Sequence, residues 1–272
     1  MATYEFGFIG TGHMGSALAY AAAQTVEPER IVLANRTPAK AQALAKEIGC
    51  ACAGNGEATA QSRFIVLGVK PQMMEDLLGK LASVLAARTD RFVLVSMAAG
   101  VTMEQICRMA GGNYPVIRLM PNTPVVVGEG MTLYTANSLV TPDELVDFLD
   151  DIAAAGRFEA LEEPLFDAAG AVSGCGPAFA FLFLEALADG AVACGVPRAK
   201  ATVFAAQMLL GAAHLALEGD EHTAVLKDAV CSPGGSTIAG VRALENAAFR
   251  GAVMDAVIAS CQRTRELGKP KK

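Results

Sequence analysis

Histidine and charge are both scarce in this chain. It has three histidines in 272 residues, and its seven cysteines (Cys50, Cys52, Cys107, Cys175, Cys194, Cys231 and Cys261) form no C-x-x-C pair. That set matches no zinc spacing, so no metal site is expected. An odd, scattered group of thiols suits a reducing compartment, which points to the cytoplasm. A net charge of −6 leaves no basic face for nucleic acid, and the closing KPKK at 269–272 reads as a solvated tail. Glu5 stands directly before the first apolar run, unlike a signal peptide. The longest apolar stretch, 168–184, has 17 residues and is interrupted by GCGP. It is shorter than the roughly 20 residues a bilayer requires, and so reads as core, with no membrane expected. Charged residues make up 18% of the chain, against about 25% in an average domain. So few polar side chains cannot cover a two-domain monomer, and a homo-oligomer with a large apolar interface is expected.

What is present divides into two rhythms. Up to residue 160, short β-rich runs (YEFGFIG, RIVLAN, RFIVLGV, RFVLVSM, YPVIRLM, GMTLYTA) alternate with helical stretches at 14–24, 38–48 and 72–87. Strands apolar on successive residues suit a parallel sheet covered on both faces, the pattern of a doubly wound α/β domain. From 161 to 272 the β-runs stop, and Ala/Leu/Phe helices start at Pro177 and Pro197. The expected fold is an N-terminal Rossmann-type sheet domain (1–160) followed by an all-α domain (161–272). The stretch AFAFLFLEALA is apolar nearly all round and is expected to pack into a partner subunit.

FGFIGTGHMGSALA places Gly10, Gly12 and Gly15 at G-x-G-x-x-G spacing between a strand and a helix. Gly10 suits the tight turn, Gly12 the approach of a pyrophosphate and Gly15 close helix packing, with Thr11, His13 and Met14 completing the loop. The second strand ends in Asn35, Arg36 and Thr37, where an NAD-specific site would carry a carboxylate for the ribose hydroxyls. A guanidinium there favours NADPH over NADH, with NADH as the alternative. Later strand ends read GVKPQ, SMAAG and LMPNTP, turns of small or rigid residues that suit a nicotinamide crevice; Lys70 there can neutralise phosphate.

Residues 229–240, AVCSPGGSTIAG, break two alanine-rich helices. They read either as a capped helix link or as a ligand site built from backbone N–H groups and hydroxyls. GFIGTGHMGSALA, ANRTP, GVKP, MPNTP and above all KDAVCSPGGSTIAGVRALE resemble the pyrroline-5-carboxylate reductase family, over essentially the whole chain. The resemblance implies reduction of the cyclic imine (S)-1-pyrroline-5-carboxylate to L-proline with NAD(P)H, the last step of proline biosynthesis. It also implies an interlocked dimer, often built into a ring of dimers. It places the substrate on Ser232, Gly234, Gly235, Ser236 and Thr237, with Thr237 beside the imine nitrogen as the catalytic residue. The cofactor falls on the glycine loop, Asn35, Arg36, Thr37, Asn55, Val69, Lys70, Pro71, Met97, Ala98, Ala99 and Asn122.

Elementary chemistry is consistent with that assignment. First-turn N–H groups can hold one small carboxylate without a buried Lys or Arg, and glycine at 234 and 235 lets a ring approach. An imine can be protonated before hydride arrives, so scarce histidine is no obstacle, whereas a ketone reductase normally carries a general acid. Two alternatives remain open at this point. A β-hydroxyacid dehydrogenase shares the layout but uses a Lys with an Asn one helical turn on; here Lys200 is followed by Val203 and Phe204, and Lys227 by Val230 and Cys231. A non-catalytic NADP-binding sensor would keep the glycine loop alone.

Overall fold

The structure is a computed structural model describing residues 2–267, so the KPKK tail lies outside the described residues. It divides into two compact units, the second being Gly176–Ala259 and the first the chain before it together with the end of the last helix.

The first unit is an eight-stranded sheet in the order β3-β2-β1-β4-β5-β6-β7-β8. Its strands are β1 (Tyr4–Ile9), β2 (Ile31–Ala34), β3 (Ala51–Cys52), β4 (Ser62–Leu67), β5 (Val93–Ser96), β6 (Val116–Met120), β7 (Gly130–Ala136) and β8 (Gly156–Ala160). The helices between them are α1 (His13–Ala22), α2 (Pro38–Ile48), α3 (Asn55–Gln61), α4 (Met74–Ala87), α5 (Met103–Ala110) and α6 (Pro142–Asp151), with α7 (Phe166–Ser173) following the sheet. Apolar residues of α1, α2 and α6 cover one face and those of α3, α4 and α5 the other. Two-sided covering explains why Ile31, Val32, Leu33 and Ala34 are all buried and why no polar alternation shows in that run. Phe6, Phe64 and Phe148 interlock at the centre, with ring centroids 5.4 Å apart for Phe6 and Phe64 and 5.1 Å for Phe64 and Phe148. Each buried Phe contributes about 1.5–3 kcal/mol.

Local signals end the helices where the sequence says they should. Pro38 opens α2, and Gly49, at φ 84°, closes it in the left-handed region. Thr102 with Gln105, and Thr141 with Glu144, form complete capping boxes on α5 and α6.

Two expectations need correction. β1 to β6 run parallel, but β7 is antiparallel to β6, and β8 runs parallel to β7. The link from β6 to β7 spans 121–129 and contains only a 3-10 turn, Thr123–Val127; a parallel crossover takes a dozen residues or more. The stretch 168–184 is core only in part: Gly170 and Ala171 of α7 are buried, but the portion in α8 (Gly176–Ala193) is not. In α8 only Ala188 is buried, while Phe181 and Leu182 are 64% and 69% exposed.

The second unit packs α8 against α9 (Arg198–Glu218), with Arg198 paired to Asp189. Then follow α10 (Thr223–Ala229), α11 (Ser236–Asn246) and α12 (Phe249–Leu267). Phe183 of α8 meets Phe249 of α12 at 5.6 Å. Two helical segments, Glu163–Ala193 and Arg198–Glu218, are long and apolar enough to cross a membrane by length and composition alone.

Candidate active site

The carboxyl ends of β1, β2, β4, β5 and β6 meet along one edge of the sheet, where ligands of such folds lie. The β1–α1 turn is drawn tight by two backbone bonds, Gly10 N–H to the Ala34 carbonyl and Gly68 N–H to the Ile9 carbonyl, both 2.8 Å. Gly10 adopts φ 104°, which disfavours any side chain. A Cβ on Gly15 would lie 2.1 Å from the Gly10 carbonyl oxygen, so this glycine lets α1 dock on the turn. Gly12 differs, since a Cβ there would meet nothing within 4 Å. It caps α1 without a side-chain bond and leaves the first-turn N–H groups toward open space. The Thr11 hydroxyl is buried without a partner. Small residues, free N–H groups and an orphaned hydroxyl at a helix N-terminus fit a dinucleotide pyrophosphate.

The remaining nucleotide candidates of the first unit gather along this edge. Asn35 donates its amide to the Thr37 carbonyl at 3.1 Å and shapes the turn that leaves Arg36 and Thr37 exposed. Thr37 caps α2 without using its hydroxyl. Asn55 opens α3, its carbonyl accepting from the Thr59 hydroxyl at 2.7 Å. Val69, Lys70 and Pro71 follow β4, with Lys70 exposed. Met97, Ala98 and Ala99 follow β5, where the Ser96 hydroxyl accepts from the Ala98 N–H at 3.4 Å. Arg30, Arg63, Arg88, Arg91, Arg118 and Arg157 each pair with a carboxylate, whereas Arg36 and Lys70 have no ion pair among the described residues. Gly68 escaped the sequence reading although it stands in GVKP; a Cβ there would lie 2.5 Å from the Gly10 carbonyl oxygen and 3.3 Å from Met97 Cε.

Asn122 is placed differently from its neighbours in this group. It is buried at the end of β6, donating to the Ser173 carbonyl and accepting from the Met131 N–H, both at 2.9 Å. Its carboxamide is engaged by the protein's own backbone.

In the second unit, Gly235 N–H donates to the Ser232 carbonyl at 3.0 Å, closing a turn through Pro233 and Gly234, the latter at φ 69°. Gly235 caps α11 without a side-chain bond, leaving the N–H groups of Ser236 and Thr237 at the helix start. Thr237 is half-buried, and Ser232, Gly234 and Ser236 are exposed. One detail corrects the sequence reading: a Cβ on Gly235 would strike the Ser232 hydroxyl at 2.3 Å, while one on Gly234 would meet nothing. Gly235 therefore makes room first for Ser232 itself, and Gly234 supplies the backbone turn. The histidines stand apart from this turn by their bonding. His214 pairs with Glu218 at 3.4 Å, His222 accepts the Ala224 N–H at 3.2 Å as a helix cap, and His13 is the first residue of α1, directly after the glycine turn.

A family profile described as pyrroline-5-carboxylate reductase dimerisation matches residues 163–267, and one described as NADP oxidoreductase, coenzyme F420-dependent, matches 5–100. The pyrroline-5-carboxylate reductase of Escherichia coli K12 is 41% identical over 268 residues, covering 97% of this chain and 98% of that protein. The chain belongs to the pyrroline-5-carboxylate reductase family. The Synechocystis reductase gives the same identity and coverage. Among solved structures, a Plasmodium falciparum pyrroline carboxylate reductase with NADP bound superposes with a TM-score of 0.88 at 30% identity, covering 99% of this chain and all of that one. Family membership thus agrees with the Rossmann-type sheet and helical second half. It also sets the reductase resemblance above the hydroxyacid dehydrogenase and sensor alternatives.

Proposed function

We infer that this protein reduces (S)-1-pyrroline-5-carboxylate to L-proline with NAD(P)H, the last step of proline biosynthesis, as a self-associating oxidoreductase. The observation that carries this reading is full-length similarity, 41% over 97% of the chain, in which the β1–α1 glycine loop and the SPGGST turn before α11 occur together.

The glycine loop would hold the pyrophosphate, with Gly10, Thr11, Gly12, His13, Met14 and Gly15 in reach. Asn35, Arg36, Thr37 and Asn55 would take the adenosine end, and Val69, Lys70, Pro71, Met97, Ala98 and Ala99 the nicotinamide half. Arg36 and the missing carboxylate after β2 favour NADPH, with NADH as the alternative. When bound, the cofactor supplies the hydride.

The chain itself binds and orients. First-turn N–H groups of α11 at Ser236 and Thr237 would hold the substrate carboxylate, helped by the helix dipole. Ser232, Gly234 and Gly235 shape that anion site, and the Thr237 hydroxyl stands beside the imine nitrogen, its oxygen accepting the N–H of the protonated imine. Reduction adds hydride to the imine carbon and leaves the nitrogen with a proton it already carries. A strong acid is therefore unnecessary, and positioning with exclusion of water supplies the rate.

The apolar faces of α8 and α9 are assigned to a second copy of the chain, and assembly into a ring of dimers completes the proposal. Neither membrane nor nucleic acid is a proposed partner, and the proposed location is the cytoplasm. Mixing pure protein with pyrroline-5-carboxylate and NADPH, then separately NADH, tests the function. Cofactor oxidation with proline as product, faster with NADPH, is expected. A folded oligomer that binds NADPH yet oxidises neither cofactor would overturn it.

A further inference from the structure

β6 and α7 are fastened together along their whole shared length. Alternate residues of a strand point to one face, as Arg118 and Met120 do on β6, and Asn122, two residues past the strand's end in extended backbone (φ −128°, ψ 171°), continues their row. Arg118 is buried, pairs with Glu163 at 3.1 Å and Asp167 at 3.6 Å, and lies over the Phe166 ring. Met120 comes next, filling the space where a Cβ on Gly170 would lie only 2.7 Å from its Cε. Asn122 closes the row by donating to the Ser173 carbonyl, which as the last residue of α7 has no intrahelical partner. Its other amide atom accepts the Met131 N–H of β7.

One carboxamide therefore fixes three things at the β6 end of the crevice. It sets the end of α7, the start of β7 and the turn between β6 and β7. Asn122 is also the residue that opens that turn, its carbonyl accepting from the Val125 N–H at 3.2 Å, and Val125 is buried in the core beside α1. The β6 end belongs to the second mononucleotide half of the sheet, away from the pyrophosphate turn at β1.

Resting on the reductase reading, we propose that Asn122 is a positioning residue for hydride transfer, acting through the 121–127 turn and the end of α7 rather than by contact with the nucleotide. NADPH affinity comes mainly from the phosphate contacts of the first half, so loss of Asn122 shows in turnover and spares binding.

Asn122→Ala removes both bonds. Asn122→Asp keeps the acceptor for Met131 N–H but sets a carboxylate against the Ser173 carbonyl, and it carries the test should the alanine variant not fold. Four quantities are measured: NADPH Kd by fluorescence, kcat per bound NADPH, KM for pyrroline-5-carboxylate, and hydrogen exchange of the Met131 amide. Both variants are expected to lose roughly ten- to hundredfold in kcat with NADPH Kd nearly unchanged, as misplacement of a reacting group costs rate. The Met131 amide should exchange faster in Asn122→Ala and stay protected in Asn122→Asp. A Kd that rises in step with the loss of kcat would make Asn122 a direct cofactor contact. Unchanged kcat per bound NADPH would leave it a packing residue. Either result overturns the proposal. Absence of turnover in the unmutated protein would instead count against the reductase reading, and the binding and exchange measurements remain valid without it.

Discussion

Arg36 is exposed at the end of β2, where its guanidinium has no carboxylate partner among the described residues. NADPH differs from NADH by one phosphate, and a charge-assisted bond to it is worth about 1.5–3 kcal/mol. Arg36→Gln should therefore raise KM for NADPH by about tenfold or more, since about 1.4 kcal/mol is a factor of ten, and leave KM for NADH nearly unchanged. Steady-state kinetics with both cofactors decide it; an equal loss with the two would show that Arg36 does not read the phosphate. Thr237 poses a different question, because the α11 cap is Gly235 and no side chain bonds there. Thr237→Ala keeps the backbone N–H groups that would hold the carboxylate and removes only the hydroxyl. Turnover should fall roughly ten- to hundredfold while NADPH Kd holds, the signature of lost orientation. A fall in melting temperature with unchanged kcat would reduce Thr237 to a helix-start residue.

At the scale of elements, α6 carries two carboxylates perturbed in opposite directions. Glu144 is held down to about 2, first by hydrogen bonds from Arg91 and against the opposing effect of burial. Asp151 at the other end of α6 is pushed up to about 6 by burial first, then by the charge of Glu5. A lowered carboxyl stabilises the fold above its ordinary value near 4.5, and that stability disappears as pH falls toward 2. A raised one has the reverse sign: its contribution is complete below 3.8 and is lost as pH rises through about 6. Thermal melts should thus show Asp151→Asn more stable than the parent at pH 7 to 8, with the gain gone below about pH 4, and Glu144→Gln less stable at neutral pH. A melting temperature of Asp151→Asn that tracks the parent at every pH would contradict this account. The same scale shows why some elements were legible in the sequence and others were not. The six strands read from apolar runs are buried enough to show their pattern. β3 has two residues, and β8 is an edge strand with mixed exposure, so neither leaves such a run. The direction of β7 was open to reading, because the link at 121–129 between the two apolar runs is shorter than the dozen residues a parallel crossover takes. The glycine turn was legible because its spacing is set by backbone contacts within a few residues. The duty of Asn122 was not, because its partners lie at Met131 and Ser173.

For the whole molecule, the decisive feature is apolar surface that the single chain leaves open. Phe181 and Leu182 on α8, and Val203, Phe204, Leu210 and Leu215 on α9, are each at least 60% exposed. That is more exposed large apolar side chain than a soluble monomer ordinarily carries on two neighbouring helices, and these helices fall within the segment that matches the dimerisation profile. Covering one Phe or Leu side chain contributes about 1.5–3 kcal/mol, so covering all six on both copies offsets an association cost on the order of 4–15 kcal/mol. Leu182→Glu puts a carboxylate where burial without a partner costs several kcal/mol. Light scattering should then show dissociation to monomer, with turnover lost if activity requires the assembled form. NADPH binding should persist, because the glycine loop belongs to the first unit. Raising the salt should not dissociate the unmutated assembly, since apolar burial is not screened as charge pairing is. A Leu182→Glu protein that keeps both its mass in solution and its turnover would show that α8 faces solvent, and the cover for α9 would then have to be sought elsewhere.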